Sequence, residues 1–496
     1  MPVPGIDAAL AVEIALAAGG VAVWFGLFGV ALLLTRPADV PPAPPTQDFG
    51  GDEPPAVVSL LTSGWELTED AVESTLIDLA ARRVIEFRQP GNDPMQTTIH
   101  LRDPDPTGLN PYESQVFQRI KTLAVDGVLP LTALTFRDKE LAAAWSKRVS
   151  EAIVADARGR GLSRRRFSPT IVSALTVLAA IPALAMGAAV ALNAHRDDGD
   201  YGAVIGAMIV VWFALGAFAA RPRGERDTPL GRQVAARWLG LKTYLRNQDS
   251  FADLPPSAVA VWDRYLSYGD SVGATRVCSA VIDLGMGNRK RVWSSFTGPG
   301  RPPQWHRVRV RYPKFFRRYG QPPWKLLLKA AAALAIAFLV TRLPDLSGED
   351  LVPGDLLGVI GLVLALPLAA PLLYGLYTLV ATIVDLATPV TLTGEVLWIE
   401  VWRSHSGGED SPPRPWLHYL AVDDGRADRT VAWACPSELV GLVACGDIVT
   451  VTARRWTRRV IRLEVSELAS LTRRTYGFLS ADAPTAPRPT NWGRLH

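Results

Sequence analysis

Apolar positions along the chain fall into two regimes. In the first they run almost without interruption: residues 14–35, 170–194, 202–220, 326–343 and 356–384 carry hardly a charge. A hydrocarbon layer of roughly 30 Å takes about 20 helical residues, so each stretch predicts a transmembrane helix, about five in all. Residues 195–201 alone separate the second and third, which predicts a helical hairpin. Pro367 and Pro371 are expected to kink the fifth, whose surplus length tilt would absorb.

In the second regime apolar residues recur with a period. Residues 36–51, with Pro37, Pro41, Pro42, Pro44 and Pro45, form a proline-rich linker, expected to be extended. Residues 52–165 begin with a short amphipathic helix from Pro54 to Leu61. Thr68 is expected to cap a second helix, with Glu69 and Asp70 in its first turn and Val72, Leu76, Ile77, Leu79 and Ala80 facing a core, ending near Arg82 and Arg83. Strands at 85–88 and 97–101 flank Pro90 to Asp93. Helix, helix, hairpin is the order of a winged helix. Further helices from Pro111 and over 138–158, around an extended piece at 128–131, suggest one or two winged-helix-like modules.

Residues 221–325 read as a helical region, with Trp238, Leu241, Tyr244 and Leu245 on one face for packing or docking. Residues 390–468 switch to period two, with strands at 396–402, 416–422, 430–433, 447–452 and 459–465 and a turn at Asp423-Asp424-Gly425. So many short strands predict a small barrel of SH3 or OB type. Residues 469–496, with Pro484, Pro487 and Pro489, read as a disordered tail. The fold class expected is an α-helical membrane protein with winged-helix-like α+β modules and a C-terminal barrel.

Charge gives this layout a direction. Arg158, Arg160, Arg164, Arg165 and Arg166 precede the second span; Arg221, Arg223 and Arg226 follow the third; Arg307, Arg309, Arg311, Lys314, Arg317 and Arg318 precede the fourth. The opposite ends carry Asp197, Asp198 and Asp200, or Asp345, Glu349, Asp350 and Asp355. The positive-inside rule then puts the N-terminus outside and residues 36–169, 221–325 and 387–496 in the cytoplasm of a multi-pass protein of the cell membrane. No Lys or Arg precedes the first apolar run and Arg36 follows it, as in an uncleaved anchor rather than a signal peptide.

Composition adds little. The net charge of +4 is small for 496 residues. Cys278, Cys435 and Cys445, the three cysteines, lie in no zinc or disulfide spacing. No phosphate loop, zinc-protease, nucleophile-elbow or dinucleotide motif stands in a suitable setting. His405 and His418 with Glu409 and Asp410 read as a solvated loop rather than a metal site, and Asp423-Asp424 as a turn rather than an acid/base pair. No cofactor and no catalytic residue is expected. No ionisable side chain sits at mid-span, which disfavours transport. Gly202-xxx-Gly206 and Ala183-xxx-Gly187 suit close helix packing.

The block from Pro54-Pro55-Ala56 to Ala71-Val72-Glu73-Ser74-Thr75-Leu76-Ile77-Asp78-Leu79-Ala80-Ala81-Arg82-Arg83 resembles the cytoplasmic half of a family of predicted bacterial membrane proteins, domain of unknown function 2207. Ala235 to Leu245 and Asp253-Leu254-Pro255-Pro256, leading to Val261 through Gly269, extend the likeness over roughly 20–290. Typical members carry an extracellular β-domain before the first span, where this chain has about 13 residues, and this chain adds a C-terminal domain. The resemblance implies no activity and no site residue.

The basic residues 158, 160, 164–166, 307, 309, 311, 314, 317 and 318 form the candidate membrane-surface cluster, each worth about 1 kcal/mol on anionic lipid. Nucleic acid is the alternative, through Arg82, Arg83, Arg454, Arg455, Arg458 and Arg459, but Glu69, Asp70, Glu73 and Asp78 on the same helix oppose it. The expected function is a non-enzymatic scaffold or signalling component that touches the bilayer and a cytoplasmic protein partner.

Overall fold

The structure is a computed structural model that describes residues 8–49, 51–91, 93–103, 105–136, 138–196, 202–248, 250–282, 284, 291–302, 304–312, 319–341, 372, 374–405 and 414–469. In chain order its elements are α1 (Ala8–Leu34), α2 (Pro55–Thr62), α3 (Asp70–Ala81), β1 (Ile85–Arg88), β2 (Thr98–Leu101), α4 (Pro111–Leu123), β3 (Val128–Pro130), α5 (Lys139–Gly159), β4 (Ser163–Arg165), α6 (Pro169–Leu178), α7 (Ala180–Arg196), α8 (Gly202–Ala220), β5 (Glu225–Asp227), α9 (Pro229–Arg246), α10 (Val259–Trp262), α11 (Arg264–Ser271), α12 (Val277–Val281), β6 (Arg291–Ser294), β7 (His306–Arg311), α13 (Pro323–Thr341), α14 (Tyr374–Ala387), β8 (Pro389–His405), β9 (Arg414–Asp423), β10 (Arg429–Pro436), α15 (Ser437–Val440), β11 (Ile448–Arg454) and β12 (Val460–Glu467). They divide into two compact units. One, the bundle unit, takes residues 1–38, 164–226 and 321–387; the other, the α/β unit, takes 39–163, 227–320 and 388–496.

In the bundle unit α1 packs on α6 and α7, and α8 on both of these. α6 and α7 are one apolar helix broken at Ala179, just before Pro182, which has no N–H to offer the carbonyl four residues back. Two indoles serve carbonyls in the last turn of α6: Trp24 Nε1 donates to Leu175 at 2.9 Å and Trp212 Nε1 to Thr176 at 2.7 Å. Gly20 lets α1 close on α7, since a Cβ there would lie 2.8 Å from Ala185 Cβ; Gly187 meets Met208 of α8 in the same way, at 2.6 Å, whereas Gly206 faces open space.

The expectation of about five transmembrane helices is corrected here. Among the described residues two helices are long and apolar enough to cross a bilayer, 16–34 and 169–192. The third expected span is helical, but its apolar stretch, Val204–Ala220, falls short of the roughly 20 residues a crossing takes. The fourth, within α13, carries Lys325 and Lys329 in its first turns. Of the fifth, residues 356–371 lie outside the described residues, and α14 is short. The proposed hairpin loop at 197–201 and the tail from 470 also lie outside them.

In the α/β unit the predicted helix, helix, hairpin order is present, and β3 joins β1 and β2 in a three-stranded antiparallel sheet. A separate winged-helix module is not formed. α3 is buried at every position from Asp70 to Ala80, so it has no exposed face to offer a groove, and its core runs on without a break through Trp238 of α9, Leu266 of α11 and Cys278 of α12. Thr68 does not cap α3 in the simple sense: its hydroxyl donates to Asp70 Oδ2 at 3.2 Å. Left-handed Arg83, φ 62°, ends the helix, with Val84 N–H bonded back to Leu79. The proline-rich segment lies along α9, where Ala43 N donates to Ala236 O at 2.9 Å and Gly240 leaves room for the backbone of Pro44.

The C-terminal strands belong to a seven-stranded sheet of order β12-β11-β8-β9-β10-β7-β6. All its pairs are antiparallel except β10 with β7. The region 221–325, expected to be helical, thus supplies two strands. The expected barrel is not closed. β8 is long enough to serve β11 with 389–395 and β9 with 395–405, with bulges that bend it. Between β10 and the start of β12 there is one isolated bridge, Ala434 to Arg459, while the first residues of β10 pair with β7 instead.

Candidate functional site: a buried charge network

β7 alternates. Val308 and Val310 point into the sheet's core, which leaves Arg307, Arg309 and Arg311 on the other face. Arg307 reaches the first turn of α3, where Nη1 and Nη2 donate to the two carboxylate oxygens of Asp70 at 2.8 and 2.6 Å. This planar two-pronged pairing suits guanidinium alone. Arg309 pairs with Glu66, just before α3. Gly273, φ 71°, makes room for Arg307: a Cβ there would sit 3.1 Å from the guanidinium carbon.

Three carboxyl groups approach this guanidinium from two helices. Asp70 and Glu73 come from α3 and Asp270 from α11, and all are buried. Asp270 Oδ1 accepts from Thr275 Oγ1 at 2.5 Å, while Oδ2 has no hydrogen-bond partner among the described residues. Burial pushes the Asp270 carboxyl up to about 8; the charge of Asp70 adds to this, and Thr275, Arg307 and Ser279 oppose it. For Arg307 burial works against the cation, but Asp70, Glu73 and Asp270 outweigh it and hold the proton more firmly than usual. Burial, with Asp270 and Glu73, raises the Cys278 thiol well above its ordinary value, so it stays protonated. Chemically the cluster is one permanent cation, its carboxylate partner Asp70 and two further buried carboxyl groups, of which Asp270 holds its proton to higher pH than usual.

Two further polar contacts lie in the same unit. Glu395 of β8 is buried and accepts from Ser294 Oγ, Ser295 N and Ser295 Oγ at 3.1, 2.7 and 2.9 Å. His306 Nε2 stands 3.2 Å from Asp423 Oδ2, and its pairing with that carboxylate raises its pKa. Asp423 also accepts from Gly425 N at 3.1 Å, so the Asp-Asp-Gly segment is a turn whose first carboxylate is buried. His418 lies beside Ser437, 3.4 Å from its hydroxyl, while Glu409 and Asp410 lie outside the described residues. Among the described residues no group of three or more His, Cys, Asp or Glu side chains is arranged to hold a metal.

The residues of the predicted basic cluster go to different places. Arg160 pairs with Asp156 at 2.9 Å at the end of α5, where Arg158 also sits. Arg164 and Arg165 lie exposed on β4. Arg166 donates to Leu32 O at 2.6 Å, at the end of α1. Arg307 and Arg309 are paired inside the α/β unit, Arg311 is exposed, and Lys314, Arg317 and Arg318 lie outside the described residues. Sequence reasoning missed Asp70, Glu73, Asp270 and Gly273 as partners of Arg307. A signal was there: Asp70, Glu73 and Asp78 share one side of α3, and on a buried helix such carboxylates must find partners elsewhere in the fold.

Neither a curated protein nor a solved structure matches the chain. Residues 47–273 match the family model described as the C-terminal domain of a predicted membrane protein, DUF2207. The stretch from α2 through α11, which holds Asp70, Glu73 and Asp270 but not the Arg307 that pairs with them, is therefore similar to the C-terminal domain of the predicted membrane protein family DUF2207.

Proposed function

We propose that this chain is a non-enzymatic component of the cell membrane whose α/β unit faces the cytoplasm and engages a protein partner there. The observation that carries the reading is the chemistry of that unit. Asp270, a carboxyl group pushed up by burial, is shut inside a charge network with Arg307 and Asp70, where it organises the fold rather than meeting a substrate. Arginine-rich ends on α1, α6 and α8 support a cytoplasmic side for those ends, with α1 running inward from an external N-terminus. Because residues 388–496 share one compact unit with 39–163, the C-terminal sheet takes the same side. A nucleic-acid role has less support, since Arg82 is held by Asp78 and Glu113 at 2.9 and 3.0 Å.

Cross-linking of the tagged full chain in intact cells, followed by solubilisation and mass spectrometry, tests the reading. A reproducible cytoplasmic protein recovered by the intact chain and reduced by charge reversal on the exposed face of the α/β unit is the expected result. Recovery of membrane lipids alone would overturn it.

A further inference from the structure

Three helix ends of the bundle unit bring together arginines that are far apart in the sequence. Arg36 follows α1, Arg165 and Arg166 precede α6, and Arg221, Arg223 and Arg226 follow α8. Their proximity is set by contacts within the unit. The Arg166 guanidinium donates to Leu32 O at 2.6 Å, and its backbone N–H donates to Gly224 O at 3.0 Å. The side chain of Arg223 lies over Phe28 and Phe218, at 5.0 and 4.6 Å from the ring centres, and that of Arg221 lies over Phe218 at 5.6 Å. Phe28 of α1 packs against both Phe167, just before α6, and Phe218 of α8.

Two of these arginines have an evident local role. Arg166 and Arg223 donate to the last carbonyls of α1 and α8, where a helix C-terminus favours a cation. The others do not. Among the described residues Arg36, Arg165, Arg221 and Arg226 have no carboxylate within ion-pair distance, and the Nε atoms of Arg223 and Arg226 are buried with no acceptor. Like charges crowded at one end of a bundle repel each other, and a buried guanidinium N–H without an acceptor costs free energy. Both features point to an anion with several acceptor oxygens.

We propose that the arginines at the ends of α1, α6 and α8 form a binding site for the phosphate of an anionic phospholipid headgroup. Phosphate oxygens match the fork of guanidinium donors. The lipid, rather than free phosphate, is the source because α1 and α6–α7 are the two helices with the length and apolarity to cross a bilayer, and the arginines stand at their ends. The exposed apolar side chains of these helices, Leu33, Leu34 and Val177, continue from the arginines as acyl chains would. The residues differ from a diffuse basic surface in being assembled from three helix ends around one aromatic contact. The inference requires only that these helices lie in a bilayer, so failure to find a protein partner leaves it intact.

The test uses the full chain purified into phosphatidylcholine nanodiscs with and without phosphatidylglycerol. Native mass spectrometry of the released protein counts retained phosphatidylglycerol for wild type, for Arg36→Gln/Arg165→Gln/Arg226→Gln, and for Arg148→Gln as a charge control in the α/β unit. The site predicts that wild type and R148Q retain phosphatidylglycerol alike and that retention weakens about fivefold for each arginine of the site removed. Equal losses in R148Q would reduce the effect to general surface charge and overturn the proposal. So would displacement of the lipid by millimolar inorganic phosphate, which would name free phosphate as the occupant. Should the triple variant fail to assemble, R165Q alone, a change at an exposed strand position, carries the same comparison: retention equal to wild type would overturn it.

Discussion

Arg307 of β7 and Arg165 of β4 are both arginines in short strands, and in the sequence both stand among other arginines ahead of an apolar helix. Arg307 is buried in the α/β unit with both guanidinium prongs on Asp70, a residue 237 positions earlier in the chain. Arg165 is exposed in the bundle unit and has no carboxylate partner among the described residues. The pair teaches that a run of positive charge in a sequence describes two physical situations. In one the counter-charge is internal and the arginine is a structural element. In the other the charge is open and favours an anion from outside.

The largest expected effect breaks the internal pairing. Arg307→Met leaves Asp70 buried without its cation and should cost about 3–5 kcal/mol, read as a lower unfolding midpoint by tryptophan fluorescence in detergent. Arg165→Gln should cost less than about 0.5 kcal/mol in the same assay. Equal effects would erase the distinction. Combining R307M with Asp70→Leu should recover part of the loss, because Asp70 is then no longer a buried charge without its cation.

A second change probes the bundle unit through packing rather than charge. A side chain at Gly20 would collide with Ala185 and Pro182, so Gly20→Leu should cost about 1–3 kcal/mol by forcing α1 from α7. An unchanged midpoint would mean that this close approach is not needed.

A smaller effect sharpens the comparison through pH. The Asp270 carboxyl starts from an ordinary 3.8 and is pushed up to about 8 in the fold. Between those values the folded chain holds a proton that the unfolded chain has released. Stability should therefore fall as pH rises across this window and level off above it, and Asp270→Asn should flatten the slope. His306, raised above 6.5 by Asp423, acts in the same direction: its stabilisation is complete below 6.5 and is lost as pH rises through the raised value, so His306→Gln should reduce the slope that D270N leaves above 6.5. A D270N profile as steep as wild type would show that Asp270 does not hold the proton.

The smallest effect is that of salt. Raising ionic strength should weaken lipid retention by the open arginines while hardly moving the midpoint set by Arg307, since buried pairs are poorly screened. Parallel shifts would show both sets to be solvent-facing.

Much of the local structure was legible. The alternation of Val396 to Val401 and of Ile448 to Thr452 predicted β8 and β11, and Pro111-Tyr112-Glu113 predicted the start of α4, where Glu113 completes a capping box with Asn110. Local periodicity decides such elements. What failed depended on distant partners. His306 to Arg311 alternates as a strand should, yet arginine density drew attention to the membrane instead of to a sheet. The barrel failed because β10 finds a second neighbour in β7, a pairing that spans more than a hundred residues. The span count failed because apolar composition does not state where a helix ends. In the site, Arg307 was singled out for its charge, but its counter-ion is set by the fold alone.

The helical core of the α/β unit also dictates an order of events during synthesis. Its contributing residues run from Ala56 to Leu162 and resume only at Val234, continuing to Leu284, with α6, α7 and α8 made in between. A ribosome that has completed α5 has produced half a core with apolar surface exposed, and it must deliver three apolar helices before the second half emerges. Translation speed through residues 164–226 therefore sets how long this unfinished half waits, and pausing there should make the nascent chain depend most on chaperones.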